Sequence, residues 1–293
     1  MSETKAPQNV GANQPKEKKK SGLVQRVITA LFLVTILALV LWAGGWVFAL
    51  AVCLCVGIAI HEMHSALRLG GHQPVSWVAY AGLVLSIPLM LRFSAQAMIP
   101  VMALLCLCVL VQVMCRETPE LPDVLVSVMP LVSIVFPVMC LIGILDTQPR
   151  SLQLMLLIQV FAIAVGGDTL AYFVGSTVGG PKLCPKISPN KTISGSVGGL
   201  IGSVLMAFIV GRIVAAAAPD MTVQAPIWGD LIAGLIGGAA GQLGDLFASM
   251  VKRHCKVKDY GTIFPGHGGM MDRLDSIFFV VIIVYCYRVI LLA

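Results

Sequence analysis

The residues best suited to chemistry lie in one segment near the end of the chain, from Ser249 to Asp275. This segment carries five cations, three carboxylates and a Pro-Gly-His-Gly-Gly turn. Cations and the amides of glycine-rich turns bind phosphate, and carboxylates bind the divalent ions that accompany polyphosphates. Because apolar sequence flanks the segment on both sides, we predict phosphoryl or nucleotidyl transfer to a lipid.

Three carboxylates in and beside this segment predict a magnesium site. Asp272 and Asp275 lie three residues apart where the last helix begins, so both would face one side of it. Asp245 ends the preceding apolar segment. Mg²⁺ prefers oxygen ligands and commonly bridges to substrate phosphates. We therefore expect Mg²⁺ as the cofactor, held by these three residues, and a second cation is left open.

A second group of polar residues interrupts apolar sequence between positions 166 and 199. Asp168 lies in an apolar helix, where a carboxylate is costly and by default functional. Tyr172 follows one turn later on the same face. The next loop places Lys191 and Thr192 among prolines and glycines, where they offer a charge and a hydroxyl to phosphate. A Lys-Thr pair alone is a weak signal, because no Walker A pattern surrounds it.

The elements that position these residues must be membrane helices. The chain has 293 residues, a mean hydropathy of +0.92 and only 12% charged residues, against about a quarter in soluble domains. Apolar stretches of roughly the length that crosses a bilayer recur throughout. We predict an all-α integral membrane protein, a polytopic bundle of about nine transmembrane helices near 24–43, 46–60, 75–91, 97–114, 124–145, 152–176, 197–217, 229–248 and 276–292.

Charge distribution predicts how this bundle is organised. Residues 1–22 form a polar, lysine-rich tail that we expect to be disordered and cytoplasmic. Residues 23–150 would form the N-terminal transmembrane helices, and 151–293 a C-terminal catalytic transmembrane region. With the N-terminus inside, 16 of the 20 Lys and Arg residues fall on the cytoplasmic side, as the positive-inside rule requires. The active-site loops then face the cytoplasm, at the inner membrane of a bacterium or the endoplasmic reticulum or a similar membrane of a eukaryote.

Several other patterns are interpreted as structural. Glycines recur every three or four residues between 234 and 244, which predicts a small helix face for close packing. His61, Glu62 and His64 are interpreted as interfacial residues, with a structural role for Glu62. The nine cysteines are odd in number and scattered, so they support neither a disulfide framework nor a zinc site.

Both polar groups resemble the signature of one family. The segment from Ser249 reads S-x-x-K-R, a basic spacer ending in K-D, then P-x-H-G-G-x-x-D-R-x-D. This resembles the signature of the phosphatidate cytidylyltransferases, or CDP-diacylglycerol synthases. The earlier group resembles the other region of that family, D-[ST]-x-A-Y followed by S-P-x-K-T-x-x-G-x-x-G-G. The chain departs from the pattern at Ile193 and Ser194, where the family usually has an aromatic residue and then Glu or Gln.

The resemblance implies transfer of CMP from CTP to phosphatidic acid, giving CDP-diacylglycerol and pyrophosphate. It implies catalytic roles for Asp245, Lys252, Arg253, His267, Asp272, Arg273 and Asp275. It implies substrate or nucleotide contacts for Asp168, Tyr172, Ser188, Lys191, Thr192, Ser249, Lys258, Gly268 and Gly269. The expected partners are CTP and phosphatidic acid in the bilayer, without nucleic acid, and a homodimer is left open.

Three other functions were weighed. A multi-pass transporter would place charges near the middle of the membrane and show similar halves, whereas here the halves differ and the polar residues cluster on one side. A CTP-dependent polyprenol or phytol kinase stays open as an enzymatic alternative. A CDP-alcohol phosphotransferase is disfavoured, because its D-G-x-x-A-R core is missing from the chain.

Overall fold

The computed structural model describes residues 35–36, 39–40, 43–93, 97–217, 226–264 and 268–291. From residue 45 onward these residues form eight helices, as expected where a bilayer leaves backbone groups no water to bond. The helices are α1 (Gly45–Leu69), α2 (Ser76–Phe93), α3 (Met98–Met114), α4 (Leu121–Leu145), α5 (Arg150–Thr177), α6 (Ile193–Ala217), α7 (Ile227–His254) and α8 (Met271–Leu291).

The architecture confirms an all-α membrane protein. Five helices, α1 and α4 to α7, contain stretches long and apolar enough to cross a membrane, and α2 and α3 include shorter apolar helices. The predicted span at 24–43 lies largely outside the described residues. The count of about nine therefore stays a prediction, as do the domain boundaries, and the tail at 1–22 lies outside the described residues.

The polar connections are shorter than the sequence predicts. Helix α7 continues to His254 instead of ending near 248, so Ser249, Lys252 and Arg253 belong to a helix and not to a loop. Cations in the last turn of a helix interact favourably with its carbonyl end, which explains the extension. Between α5 and α6 the chain forms an antiparallel hairpin, β1 (Lys182–Cys184) and β2 (Ser188–Thr192), that the all-α prediction did not include.

Helix α4 is the best buried of the candidate spans, with 67% of its most apolar window inside the protein. Leu131, Ile134 and Ile144 along it are fully buried. Its middle turn, Leu131–Val135, is π-helical and follows Pro130. Proline removes a backbone donor and commonly perturbs helix geometry, so the sequence accounts for this irregularity. Helix α8 packs against α4, α5 and α7, and so joins the two halves of the bundle.

Glycines let α5, α6, α7 and α8 approach one another closely, as the glycine pattern predicts. A methyl group at Gly238 would lie 2.5 Å from Cβ of Ser203 on α6. One at Gly244 would lie 2.5 Å from the Asp275 carbonyl oxygen on α8. In lipid, van der Waals packing and interhelical hydrogen bonds drive helix association, so small residues at such crossings stabilise it.

A buried carboxylate fixes the end of this four-helix group that lies near the start of α7. Asp230 is fully buried and accepts hydrogen bonds from Gln159 of α5 at 3.0 Å and Tyr287 of α8 at 2.9 Å. Arg212 of α6 forms an ion pair with it at 2.7 Å. One side chain thus connects all four helices through charge-assisted hydrogen bonds, which are the stronger kind.

We expect Asp230→Ala to destabilise the protein by about 3 kcal/mol, because the variant removes the charged acceptor shared by Arg212 and by the buried Gln159 and Tyr287 side chains. Thermal unfolding in detergent measures the effect. Asp146→Ala, which removes an exposed acid just after α4, is the control and should shift stability by no more than about 0.5 kcal/mol. Equal unfolding temperatures for the two variants would show that the Asp230 network is not structurally important.

Candidate active site

A cavity of about 490 Å³ lies between α5, α6, α7 and the hairpin. Five of the predicted site residues line it: Asp168, Tyr172, Lys191, Thr192 and Asp245. Four of them belong to the earlier polar segment, and Asp245 lies on α7 four residues before the segment that begins at Ser249. The cavity combines cationic, carboxylate and hydroxyl groups with an exposed aromatic ring.

The charged centre of this cavity is an ion pair between Lys191 and Asp245, with Nζ 2.6 Å from Oδ2. Asp168 lies within electrostatic range of both residues and of Arg273. The side chains of Lys191 and Asp245 are 27% and 33% exposed, so both remain accessible from the cavity. The lysine is the last but one residue of β2, and the hairpin therefore holds it over the ends of the membrane helices.

Thr192 and the glycine that follows it set the position of the hairpin. The Thr192 side chain is buried, and its Oγ1 accepts a hydrogen bond from the Gly195 amide at 3.1 Å. This caps the first turn of α6, where backbone donors lack helical partners. A methyl group at Gly195 would lie 2.8 Å from the Ala171 carbonyl oxygen of α5. The threonine predicted to contact phosphate therefore already has a structural bond.

Gln242 and Ser196 also line the cavity, although the sequence analysis does not include them among the candidate site residues. Gln242 of α7 donates from Nε2 to the Ser196 carbonyl oxygen at 2.9 Å and accepts from Ser196 Oγ. The available signal was spacing, because Gln242 lies three residues before Asp245 and Ser196 four after Thr192, which puts each on the same helix face or cap as a predicted residue.

Other predicted residues lie near the cavity without lining it. Ser249 donates to Asp245 Oδ1 at a long 3.4 Å. Arg253 is exposed, and its Nε donates to the Ile187 carbonyl oxygen at 3.3 Å, which ties the hairpin turn to α7. Ser188 faces Cys184 across the hairpin. Ile193, at one of the departures from the family pattern, is 47% exposed.

Asp272 organises the loop between α7 and α8. Its Oδ1 accepts from Lys252 Nζ at 2.6 Å. Its Oδ2 accepts from the amides of Tyr260 at 2.8 Å and Gly269 at 3.0 Å. The lysine and the aspartate are 11% and 5% exposed in their side chains. Lys252 and Lys191, for which the resemblance implies a catalytic role and a nucleotide contact, are each paired with a different carboxylate in this structure.

Tyr260 anchors the loop between α7 and α8 to helix α7. Its hydroxyl donates to the Ala248 carbonyl oxygen at 3.1 Å, and its ring lies 5.4 Å from Lys252 Nζ. Burial raises the pKa of Tyr260, and the Asp272 and Asp275 carboxylates raise it further. The hydroxyl therefore stays protonated and remains a hydrogen-bond donor.

The structure places Asp275 toward Asp245 and Asp168. Asp275 is 8% exposed, and its Oδ1 accepts from the Ser276 amide at 2.7 Å. Asp245, Asp168 and Lys252 all act on it electrostatically. Asp272 and Asp275 do lie in the first turns of α8, as predicted. Within the described residues, no group of three or more His, Cys, Asp or Glu side chains is already arranged to hold a metal ion, so the magnesium site stays a prediction.

The remaining predicted residues lie in or beside the same loop. Lys258 and Arg273 are exposed. Gly268 has φ of +79°, a conformation that favours glycine, and its carbonyl oxygen accepts from the Phe264 amide at 3.0 Å. His267 lies outside the described residues.

Glu62 of α1 supports this loop from the N-terminal half of the bundle. Its Oε2 accepts from the Met271 amide at 2.8 Å, and Gly261 and Gly269 pack so closely against its carboxylate that neither position has room for a side chain. Glu62 and His64 are 5% and 2% exposed, so both side chains are buried within the protein. The structural role predicted for Glu62 is confirmed.

Comparison with known proteins gives a consistent result. A profile of the cytidylyltransferase family matches residues 24–291. A phosphatidate cytidylyltransferase from Synechocystis sp. (strain ATCC 27184 / PCC 6803 / Kazusa) is 31% identical, over 92% of this chain and 97% of its own length. One from Bacillus subtilis (strain 168) is 38% identical over 40% of this chain and 41% of its own. One from Brucella abortus (strain 2308) is 30% identical over 45% of this chain and 46% of its own length.

We expect Glu62→Ala to loosen the loop that carries Asp272. Loss of a charged acceptor for the Met271 amide costs about 1.5 kcal/mol, which corresponds to roughly tenfold faster opening. Hydrogen–deuterium exchange of peptides covering 255–272 measures this change. His61→Ala, an exposed neighbour on the same helix, should leave the exchange unchanged. Identical protection in both variants would mean that α1 does not hold the loop.

Proposed function

Because the chain belongs to the cytidylyltransferase family, we propose that it transfers CMP from CTP to phosphatidic acid and so makes CDP-diacylglycerol. The observation that carries this proposal is the cavity where Lys191, Asp245 and Asp168 meet at the ends of membrane helices. A cation beside carboxylates suits a polyphosphate with its metal ion. The position next to apolar helix faces suits a lipid acceptor.

The nucleotide would bind on the hairpin side of the cavity. Lys191 is the one lysine among the lining residues, and it is free to exchange the Asp245 carboxylate for a phosphate oxygen of CTP. Gln242 and Ser196 are held by each other at the cavity wall. We assign them a part in orienting the nucleotide, because fixed amide and hydroxyl groups lose little freedom on binding. Tyr172, 72% exposed, presents a ring suited to stacking on a base.

The lipid would enter from the bilayer beside α6. Ile193 and Val197, which flank the cavity residue Ser196, are 47% and 52% exposed. In a membrane, such exposed apolar side chains contact acyl chains. Phosphatidic acid could therefore keep its chains against α6 while its phosphate reaches the cavity.

The reaction needs no dedicated base. The phosphate monoester is largely ionised near neutral pH, so one of its oxygens can attack the α-phosphorus of CTP directly. The new P–O bond forms as the bond from the α-phosphorus to the oxygen bridging to the β-phosphorus breaks, and pyrophosphate leaves with that electron pair. Lys191 and Arg273 would stabilise the charge that develops on the leaving group. Asp272, held by three donors, would act by fixing the loop.

The carboxylates fit a magnesium ion that is completed by substrate. Asp245 and Asp275, with Asp168 beside them, offer the oxygen donors that Mg²⁺ prefers. Such ions are usually held by one or two carboxylates together with substrate phosphates, which agrees with a described site that lacks three ready ligands. When bound, the ion would neutralise triphosphate charge. We propose Asp245 and Asp275 as its protein ligands.

The orientation of the bundle is part of the same proposal. We propose that the cavity faces the cytoplasm, where CTP is available, because Lys and Arg are in excess on the side of the hairpin and the α7–α8 loop. About nine transmembrane helices, one of them near 24–43, satisfy this orientation. A homodimer remains part of the proposal.

We expect purified protein to transfer label from α-labelled CTP into lipid when phosphatidic acid is supplied, and label from γ-labelled CTP into pyrophosphate alone. Lys191→Met should raise the KM for CTP or lower kcat by at least about tenfold. Lys186→Met, an exposed lysine of the same hairpin, should behave as wild type. Label moving from the γ-phosphate to a polyprenol would instead identify a lipid kinase and refute the proposal.

Magnesium dependence has its own test. We expect Asp245→Asn and Asp275→Asn to lower kcat by about 100-fold, because each variant loses a negative charge that would bind the magnesium ion. Titration of activity with Mg²⁺, together with direct measurement of Mn²⁺ binding in the presence of CTP, separates weak ion binding from misfolding. Asp259→Asn, an exposed acid of the same loop, is the control. Unchanged Mn²⁺ binding in both site variants would exclude these ligands.

A further inference from the structure

A second cavity, of about 370 Å³, lies among α1, α2, α4 and α5, away from the candidate active site. It is lined by Ala49, Val52, Cys53, Ile87, Val138, Leu141, Ile142, Leu145, Gln148, Arg150 and Gln153. Its size falls within the range of small-molecule sites, roughly 300–1,000 Å³. The lining is apolar apart from three residues, and these three are close together in sequence.

The two cavities lie toward opposite ends of α5. Arg150 is the first residue of that helix, and Asp168 follows 18 residues later. At 1.5 Å per residue the separation is about 27 Å, close to the thickness of a bilayer's hydrocarbon core. The second cavity therefore opens near the membrane face opposite the proposed reaction, and it cannot contribute to nucleotide binding.

Hydrogen bonds hold the polar side chains at the mouth of the cavity in fixed positions. Arg150 Nη1 donates to Gln153 Oε1 at 2.8 Å. Gln153 is 6% exposed, and its Nε2 donates to the Leu145 carbonyl oxygen at the end of α4. Gly44, just before α1, packs directly against the guanidinium. The arginine is thus oriented by a buried amide and a backbone contact.

Among the residues that the structure describes, no acid forms an ion pair with this arginine. The ion pairs in the described part of the chain involve Arg116, Lys191, Arg212 and Lys252, and Arg150 is not among these cations. Gln153 occupies one of the five donors of Arg150 and brings no negative charge. A guanidinium in this state binds anions, and its planar fork suits phosphate.

We propose that this cavity binds a phospholipid with an anionic headgroup, taken from the leaflet opposite the active site. One acyl chain lies in the cleft formed by residues such as Val52, Ile87 and Leu141, and the phosphate bonds to Arg150 and Gln148 at the mouth. A soluble anion would leave the apolar cleft unused. Basic pockets between transmembrane helices bind lipid headgroups in this way. This site goes beyond the proposed reaction and does not depend on it.

The test uses the full chain in phosphatidylcholine nanodiscs that contain a phosphatidylglycerol probe with a diazirine at the end of one acyl chain. After irradiation, peptide mapping should find label on the parts of α1 and α4 that line the cavity. Arg150→Gln should reduce this label about fivefold, the loss expected for one interfacial cation. Arg92→Gln, which removes an exposed arginine outside the cavity, should label as wild type.

Two further arms identify the ligand. A phosphatidylcholine probe with the same diazirine should label the cavity about fivefold less, since its headgroup carries no net charge to match one arginine. Cys53→Phe should exclude the acyl chain by filling the cleft. If Cys53→Phe does not fold, Arg150→Gln still tests the proposal, because it changes an exposed position. Equal label from both lipids, or full label in Arg150→Gln, would overturn the proposal. The readout requires no CTP, so it stands or falls independently of the reaction.

Discussion

Close backbone contact between helices is the constraint on which the candidate site depends. Asp168 follows Gly167, which packs on Ser203 of α6, and Asp245 follows Gly244, which packs on the backbone of Asp275. Each acidic residue is therefore carried to the centre by a neighbouring glycine at a helix crossing. Larger residues at these crossings would push the helices apart, and the carboxylates that three different helices contribute would then lie farther from one another. In lipid, where apolar surface gives no net drive to association, small residues at crossings are what make this geometry stable.

The two ends of the same helices use charge in different ways. At Asp230 the carboxylate is fully buried and saturated by Arg212, Gln159 and Tyr287, so it holds helices together. At Asp245 the carboxylate is one-third exposed and meets a single lysine. A saturated pair resists exchange because breaking it leaves a buried charge. A pair that is about one-third exposed can exchange its partner for a ligand, and this difference separates the structural carboxylate Asp230 from the candidate site carboxylate Asp245.

The sequence was sufficient for features that depend on local pattern. Hydropathy predicted a helical membrane protein, glycine spacing predicted the packed face of α7, and Asp168 with Tyr172 was correctly placed on one face. Long-range partners were not accessible in this way. Nothing near Glu62 in the sequence indicates that it binds the Met271 amide 209 positions later. The sequence around Lys252 likewise does not indicate that this lysine forms an ion pair with Asp272. The hairpin was missed because its strands have only three and five residues and include Pro189, Asn190 and two lysines, residue types that ordinarily disfavour strands.

The pairing of Lys191 with Asp245 has a consequence for the order of binding. In the structure each residue neutralises the other, so neither a phosphate nor a metal ion alone gains the full benefit of its opposite charge. Under the proposed function, a nucleotide that arrives with its ion would satisfy both residues together, because the lysine would turn to phosphate as the carboxylate turned to the metal. Binding of the two ligands is then coupled, and by linkage each raises the affinity for the other by the same factor. In the proposed reaction the ion pair would thus favour a metal–nucleotide complex over either component, before any lipid has reached the cavity.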